Sequence, residues 1–149
     1  MKLLKVNIDI SGGFETTLSN ENGTISINSA GKIVNIELQG NTSYNLSGKI
    51  SSIGSVSIGY NLSGKVSSIG SISIGYSLSG KVTSIGNVSI GYNLSGKVTS
   101  FGNVSIGYNL SGKVTSIGNA SFGYSLSGKL NYGNRVNTFN GVTFILKVE

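Results

Sequence analysis

The chain contains no cysteine, histidine, proline or tryptophan. Without cysteine, neither a disulfide nor a thiolate metal site can form. Without histidine, the commonest metal ligand and the commonest general base are both missing. Carboxylates are nearly as scarce. Asp9, Glu15, Glu21, Glu37 and Glu149 are the whole set, and residues 41–131 hold none. Paired-carboxylate catalysis or an oxygen-ligated calcium site would have to draw on Asp9, Glu15, Glu21 and Glu37, whose spacing fits neither motif. These four read as solvated surface residues. The serines have no base to activate them, and no helix follows the glycines, so neither a P-loop nor a dinucleotide fingerprint is present. No enzyme, cofactor or metal is expected.

Long apolar runs are also absent: nothing approaches the ~18 residues of a membrane helix. Polar residues interrupt Met1–Ser11, so no secretory signal is read there. A cytoplasmic protein is expected, with peripheral membrane attachment as a variant. What the chain does have is 38% hydrophobic residues against 11% charged, with 23 glycines, at a formal net charge of +6. That balance suits sheets with one apolar face and one small, neutral face rather than disorder.

The glycines fall on a 16-residue period. Lys81–Gly96 reads KVTSIGNVSIGYNLSG, and Lys97–Gly112 reads KVTSFGNVSIGYNLSG. Blocks beginning at Lys49, Lys65 and Lys113 follow the same template. The whole chain, 1–149, is read as one repeat domain. Residues 1–31 supply N-terminal cap strands, 32–48 a degenerate repeat, 49–128 the five close repeats, and 129–149 a degenerate repeat with a C-terminal strand. Atypical ends are what a repeat array needs to cover its edges.

Within a unit the apolar residues alternate. Val104–Leu110 reads as a seven-residue strand and Lys97–Phe101 as a shorter one. Gly102-Asn103 and Ser111-Gly112 read as two-residue hairpin turns, with positive φ expected at Gly102 and Gly112. Counting across these turns pairs Phe101 with Val104, Thr99 with Ile106, Leu110 with Lys113, Tyr108 with Thr115, and Ile106 with Ile117. One face then carries Val104, Ile106, Tyr108 and Leu110; the other carries Ser105, Gly107, Asn109, Val98 and Ser100. The constant stagger predicts an all-β, antiparallel hairpin-repeat meander closed into a shallow barrel. Closure would place a strand within Leu3–Ile10 beside one within Val142–Val148. The alternative is a β-solenoid with two strands per coil, in which Ile90 would stack in parallel on Ile106.

Two ladders mark the candidate site. Lys49, Lys65, Lys81, Lys97, Lys113 and Lys129 all follow the Ser-Gly turn and carry essentially all of the net charge. Tyr44, Tyr60, Tyr76, Tyr92, Tyr108 and Tyr124 sit cross-strand from them. The plain readings are solubility for the lysines and packing for the tyrosines. The sharper reading is a basic rim and aromatic collar around a channel lined by Ile58, Ile74, Ile90 and Ile106, filled by a plug from the chain ends, a partner segment or an apolar ligand.

The motif Tyr-x-x-x-Gly-Lys-Val-x-x-Ile-Gly, over roughly residues 32–136, resembles the repeats of uncharacterised bacterial proteins of the β-flower type. That resemblance implies a shallow barrel of radiating hairpins around a hydrophobic channel, remotely similar to tubby-like domains, some of which bind membrane lipids. Asn or Ser follows Tyr here, where an acidic residue is common in such repeats. The function expected is a non-enzymatic binding module for a lipid or another anionic amphiphile, or for a membrane surface. The alternative is a structural β-repeat scaffold or adhesin-like surface protein. Nucleic acid is disfavoured because the repeats have no arginine. The oligomeric state is left open.

Overall fold

A computed structural model describes residues 1–148. These residues form strands and turns with no helix: β1 (Lys2–Asp9), β2 (Phe14–Asn20), β3 (Gly23–Asn28), β4 (Ile33–Leu38), β5 (Thr42–Tyr44), β6 (Ile50–Ile53), β7 (Val56–Tyr60), β8 (Val66–Ile69), β9 (Ile72–Tyr76), β10 (Val82–Ile85), β11 (Val88–Tyr92), β12 (Val98–Phe101), β13 (Val104–Tyr108), β14 (Val114–Ile117), β15 (Ala120–Ser121), β16 (Gly123–Tyr124), β17 (Leu130–Tyr132), β18 (Val136–Phe139) and β19 (Val142–Lys147). The chain divides into two compact units. One comprises Met1–Leu4 and Thr16–Asn87; the other comprises Lys5–Glu15 and the chain from Val88 onward.

In the first unit β5 to β10 form an antiparallel meander, and β2, β3 and β4 lie side by side. In the second unit β11 to β15 form a meander, β16 pairs with β17, and β18, β19 and β1 lie side by side. The antiparallel hairpin expectation holds. No closed barrel is found among the described residues. The two terminal strands do meet: β1 pairs in parallel with β19, Lys5 opposite Thr143 through Asp9 opposite Lys147.

The tight turn before each long strand is as expected. Phe101 faces Val104 and Ser100 faces Ser105 across Gly102-Asn103. Gly102 has φ 61° while Asn103 is not in the positive-φ region, which makes a type II′ turn. The other turn differs. Asn109 N–H donates to the Lys113 carbonyl (2.9 Å), and Gly112 N–H donates to the Asn109 carbonyl (2.9 Å). Three residues, Leu110-Ser111-Gly112, therefore form the loop, with Gly112 at φ 82°. This is the three-residue hairpin that ends in a left-handed glycine. The Asn109 side chain caps it by accepting from Lys113 N–H at 3.0 Å, an Asx contact that locks the turn.

Two expectations fall with that turn. The long strand is five residues, Val104–Tyr108, rather than seven. Leu110 does not face Lys113; it stands in the loop, fully exposed. The register also slips. Ile106 faces Ile117 and Gly107 faces Ser116, but Tyr108 faces Val114 rather than Thr115. Thr115 is an extra, unpaired residue, a β-bulge in the short strand. The bulge reverses the parity of everything before it, so Val114 and Ile117 both turn inward at 0% exposure. Val98, expected on the polar face, is likewise buried, beside the bulge at Thr99. Thr99 is not paired with Ile106; β12 and β13 share only the two pairs nearest the turn. In-strand glycine also has a cause here. A Cβ on Gly107 would collide with the Ser116 hydroxyl opposite.

The core is built from these columns. In the first unit Ile53, Val56, Ile58, Val66, Ile69 and Ile74 are buried with Leu18, Ile25 and Ile27 from the cap. In the second unit Phe101 meets Phe14 edge-on (5.4 Å) and Phe144 edge-on (5.8 Å). Val98, Ile106, Val114 and Ile117 are buried in the same unit.

Candidate functional site

The three-residue turn occurs twice more, in the N-terminal segment. In the first unit Asn28 N–H donates to the Lys32 carbonyl (2.9 Å) and Gly31 N–H to the Asn28 carbonyl (3.0 Å). In the second, Asp9 N–H donates to the Gly13 carbonyl and Gly12 N–H to the Asp9 carbonyl, both at 3.0 Å. Asp9 Oδ1 caps its own loop by accepting from Ser11 N–H (2.9 Å) and Gly13 N–H (3.1 Å). The sequences Asp9-Ile10-Ser11-Gly12 and Asn28-Ser29-Ala30-Gly31 carry the same pattern as Asn109-Leu110-Ser111-Gly112. Reading residues 1–31 only as cap strands misses this.

Both turns dock on the repeats in the same way. In the first unit the Ser29 carbonyl accepts from Val82 N–H (2.9 Å), and the Gly31 carbonyl accepts from Val66 N–H (3.1 Å). The Ala30 carbonyl between them accepts from Lys65 Nζ at 2.8 Å. In the second unit the Ile10 carbonyl accepts from Val114 N–H (3.0 Å) and the Gly12 carbonyl from Val98 N–H (3.2 Å). Here the Ser11 carbonyl accepts from Lys97 Nζ at 2.6 Å. Three successive carbonyls are thus held by two strand amides and one ammonium. In each unit a turn of the N-terminal segment is thus bound to the repeats. Gly31 and Gly12 are required twice over: their φ values are 80° and 96°, and a Cβ would run into the hydroxyls of Tyr76 and Tyr108 respectively.

The tyrosines are part of the same device. Tyr60 Oη donates to the Ile50 carbonyl (2.7 Å) and Tyr124 Oη to the Val114 carbonyl (2.6 Å). Tyr76 and Tyr108 donate to the carbonyls of Val66 and Val98. Burial raises the pKa of Tyr60 and Tyr124, and pushes Tyr76 and Tyr92 up to about 12. Tyr108 is raised by burial and, secondarily, by the Asp9 carboxylate. All five keep the phenolic proton at neutral pH. Tyr44 is exposed.

The lysine ammoniums lie over the tyrosine rings: Lys49 over Tyr60 at 5.3 Å, Lys65 over Tyr76 at 5.9 Å, Lys97 over Tyr108 at 5.8 Å and Lys113 over Tyr124 at 5.4 Å. Contacts of this kind are worth ~0.5–1 kcal/mol when exposed. Lys49 Nζ also donates to the Gly64 carbonyl (3.2 Å) and Lys113 Nζ to the Gly128 carbonyl (2.7 Å), each tying one hairpin turn to the next. Lys81 N–H donates to Ser77 Oγ at 3.3 Å. Ile58, Ile74, Ile90 and Ile106 sit in the core at 4–6% exposure.

A cleft lies beside each docked turn. In the first unit a cleft of about 610 Å³ runs between the Asn28–Lys32 turn and the first repeat. Ile33, Val34, Ile36, Ile50 and Val66 make its apolar wall; Lys32, Lys49, Tyr44 and Tyr60 make its polar rim. In the second unit a cleft of about 500 Å³ is lined by Ile10, Leu130, Val148, Lys129 and Arg135. Of the two ladders, the first cleft brings together Lys49, Tyr44 and Tyr60, and the second holds Lys129. Among the described residues no cluster of three carboxylates could hold a metal; Glu149 lies outside them. Comparison with family models, with curated proteins and with solved structures returns no match.

Proposed function

We propose that the protein is a non-enzymatic binding module for an anionic amphiphile, and that the cleft of the first unit takes the ligand. The observation that carries this is the cleft's division into an apolar wall of Ile33, Val34, Ile36 and Ile50 and a rim with two ammoniums, Lys32 and Lys49. Its volume lies within the roughly 300–1,000 Å³ of small-molecule sites. A short alkyl chain would lie on the wall, and a carboxylate or phosphate head would meet the ammoniums and the Tyr60 ring edge. Lysine suits this task as a mobile point charge with three donors, of which Lys49 spends one on Gly64. The shallow β-flower-like barrel belongs to this proposal, supported by the meeting of β1 and β19.

Isothermal titration with decanoate, and with 1-decanol as its neutral counterpart, tests the reading. Decanoate binds, more weakly as salt rises, and decanol binds less well. Val34→Asp, at an exposed position on the wall, places a like charge in the cleft and weakens decanoate without unfolding the chain. Absence of any heat with either ligand up to its solubility limit refutes the proposal.

A structural-scaffold reading draws on a different observation: Lys65, Lys97, Tyr76 and Tyr108 spend their polar groups on the chain's own backbone. It predicts that the titrations are silent and that removing these side chains affects stability alone.

A further inference from the structure

Six leucines stand in the same loop position: Leu46, Leu62 and Leu78 in the first unit, and Leu94, Leu110 and Leu126 in the second. All six are fully exposed. Isolated surface leucines need no explanation, but a row of them at successive hairpin tips does. Each unit's three tips lie at the same end of its hairpins, because each follows a long strand. The counterpart in a docked turn, Ile10, is half-buried.

We propose that these leucine tips dock each unit onto an anionic lipid bilayer, with the side chains entering the acyl boundary. Two features select this occupant. The first is charge. Each tip is followed by a lysine, and residues 41–131 contain no carboxylate. A second copy meeting the first tip to tip would bring two lysine rows together with nothing to neutralise them, whereas anionic headgroups supply the opposite sign. The depth is also right. Lys49 Nζ sits on the Gly64 carbonyl at 3.2 Å and Lys113 Nζ on the Gly128 carbonyl at 2.7 Å. The ammonium therefore lies at the base of the next leucine loop, at headgroup level when the leucine is inserted.

The second feature is the backbone. A loop entering the interface must not carry free amides. Here Ser47 N–H and Lys49 N–H donate to Asn45 Oδ1 (2.9 and 3.0 Å), and Gly48 N–H donates to the Asn45 carbonyl (3.0 Å). The Leu62 loop repeats this around Asn61. Three of the loop's N–H groups are thus turned back into the loop, while the leucine side chain stands fully exposed. The inference does not rest on the cleft: it turns on the leucine tips, shares only Lys49 with the cleft rim, and has another readout.

Vesicle co-sedimentation tests it, with phosphatidylcholine alone and with phosphatidylcholine containing phosphatidylserine. The parent binds the anionic vesicles at low salt and binds neutral ones weakly. A Leu62→Ser, Leu78→Ser, Leu94→Ser, Leu110→Ser variant keeps the parent's urea midpoint, since those side chains pack against nothing, and loses about tenfold or more of its binding. Because the chain has no tryptophan, Leu62→Trp provides a single reporter. Its emission shifts to the blue with anionic vesicles, and brominated lipid quenches it. Parent binding unchanged by the leucine substitutions, equal binding to neutral and anionic vesicles, or an unshifted Leu62→Trp emission overturns the proposal. So does a self-association in sedimentation velocity that the serine variant abolishes while no vesicle is bound. Val34→Asp leaves vesicle binding intact and weakens decanoate binding, so the two readings fail separately.

Discussion

Phe101 is the odd residue in its column. The same position holds Ile53, Ile69, Ile85 and Ile117 in the other close repeats. A repeat-consensus view makes Phe101→Ile stabilising, since consensus substitutions commonly add ~0.5–2 kcal/mol. The structure gives the opposite sign. Phe101 makes two edge-on aromatic pairs, with Phe14 at 5.4 Å and Phe144 at 5.8 Å, while it is only 2% exposed. Each pair is worth ~0.5–1.5 kcal/mol beyond its buried area. Losing both costs about 1–3 kcal/mol, and the smaller isoleucine leaves a gap that adds to this. For a chain of this size the melting temperature falls by about 3–10 °C. Urea denaturation followed by far-ultraviolet circular dichroism and tyrosine fluorescence measures it, with Ile117→Val, expected to cost ~0.5–1.5 kcal/mol, as the reference. A Phe101→Ile midpoint at or above the parent's, with an unchanged slope, refutes the claim that this unit's core is centred on Phe14, Phe101 and Phe144.

Gly102→Val costs more than ~1 kcal/mol in the same assay, because a β-branched residue is forced to φ 61°. The cost is backbone strain rather than a clash, since the nearest atom to the new Cβ, Val88 Cγ1, stands 3.4 Å away; parental stability would mean the turn is of another type. Alkaline pH destabilises the fold over a defined window. Burial raises the folded pKa of Tyr76 and Tyr92 from 10.0 to about 12, so between those values the unfolded chain has released protons that the folded chain still holds. Stability is therefore flat up to about pH 10 and falls from there to about pH 12, and Tyr76→Phe shows a shallower fall. A urea midpoint as steep in Tyr76→Phe as in the parent counts against it.

Much of the fold is legible in the sequence because it is local. Alternation of apolar and small residues defines strands, and Gly102-Asn103 can adopt only a few turns, so the antiparallel hairpin follows. The Asn-Leu-Ser-Gly turn departs from expectation because Ser-Gly alone is compatible with a two-residue loop. The signal that distinguishes it is the asparagine or serine three residues before the glycine, whose side-chain oxygen accepts from the amide of the following lysine and caps a loop of three. That single residue moves Leu110 from the expected apolar face to the solvent. The clefts and the leucine tips are consequently invisible to a reading built on the two ladders.

By itself, then, the sequence determined the repeat, the strands and the antiparallel hairpins, all of which depend on residue type and short spacing. Tertiary structure decided three things. The bulges at Thr99 and Thr115 let both Val98 and Phe101, and both Val114 and Ile117, be buried on one side, a placement that strand periodicity cannot express. The lysines became staples because the carbonyls they reach lie far off in the chain: Lys97 bonds Ser11 across 86 residues. And the N-terminal turns dock on the repeats because Gly12 and Gly31 let tyrosine hydroxyls approach where any side chain would collide, a fit that exists only once strand, turn and repeat have been brought together.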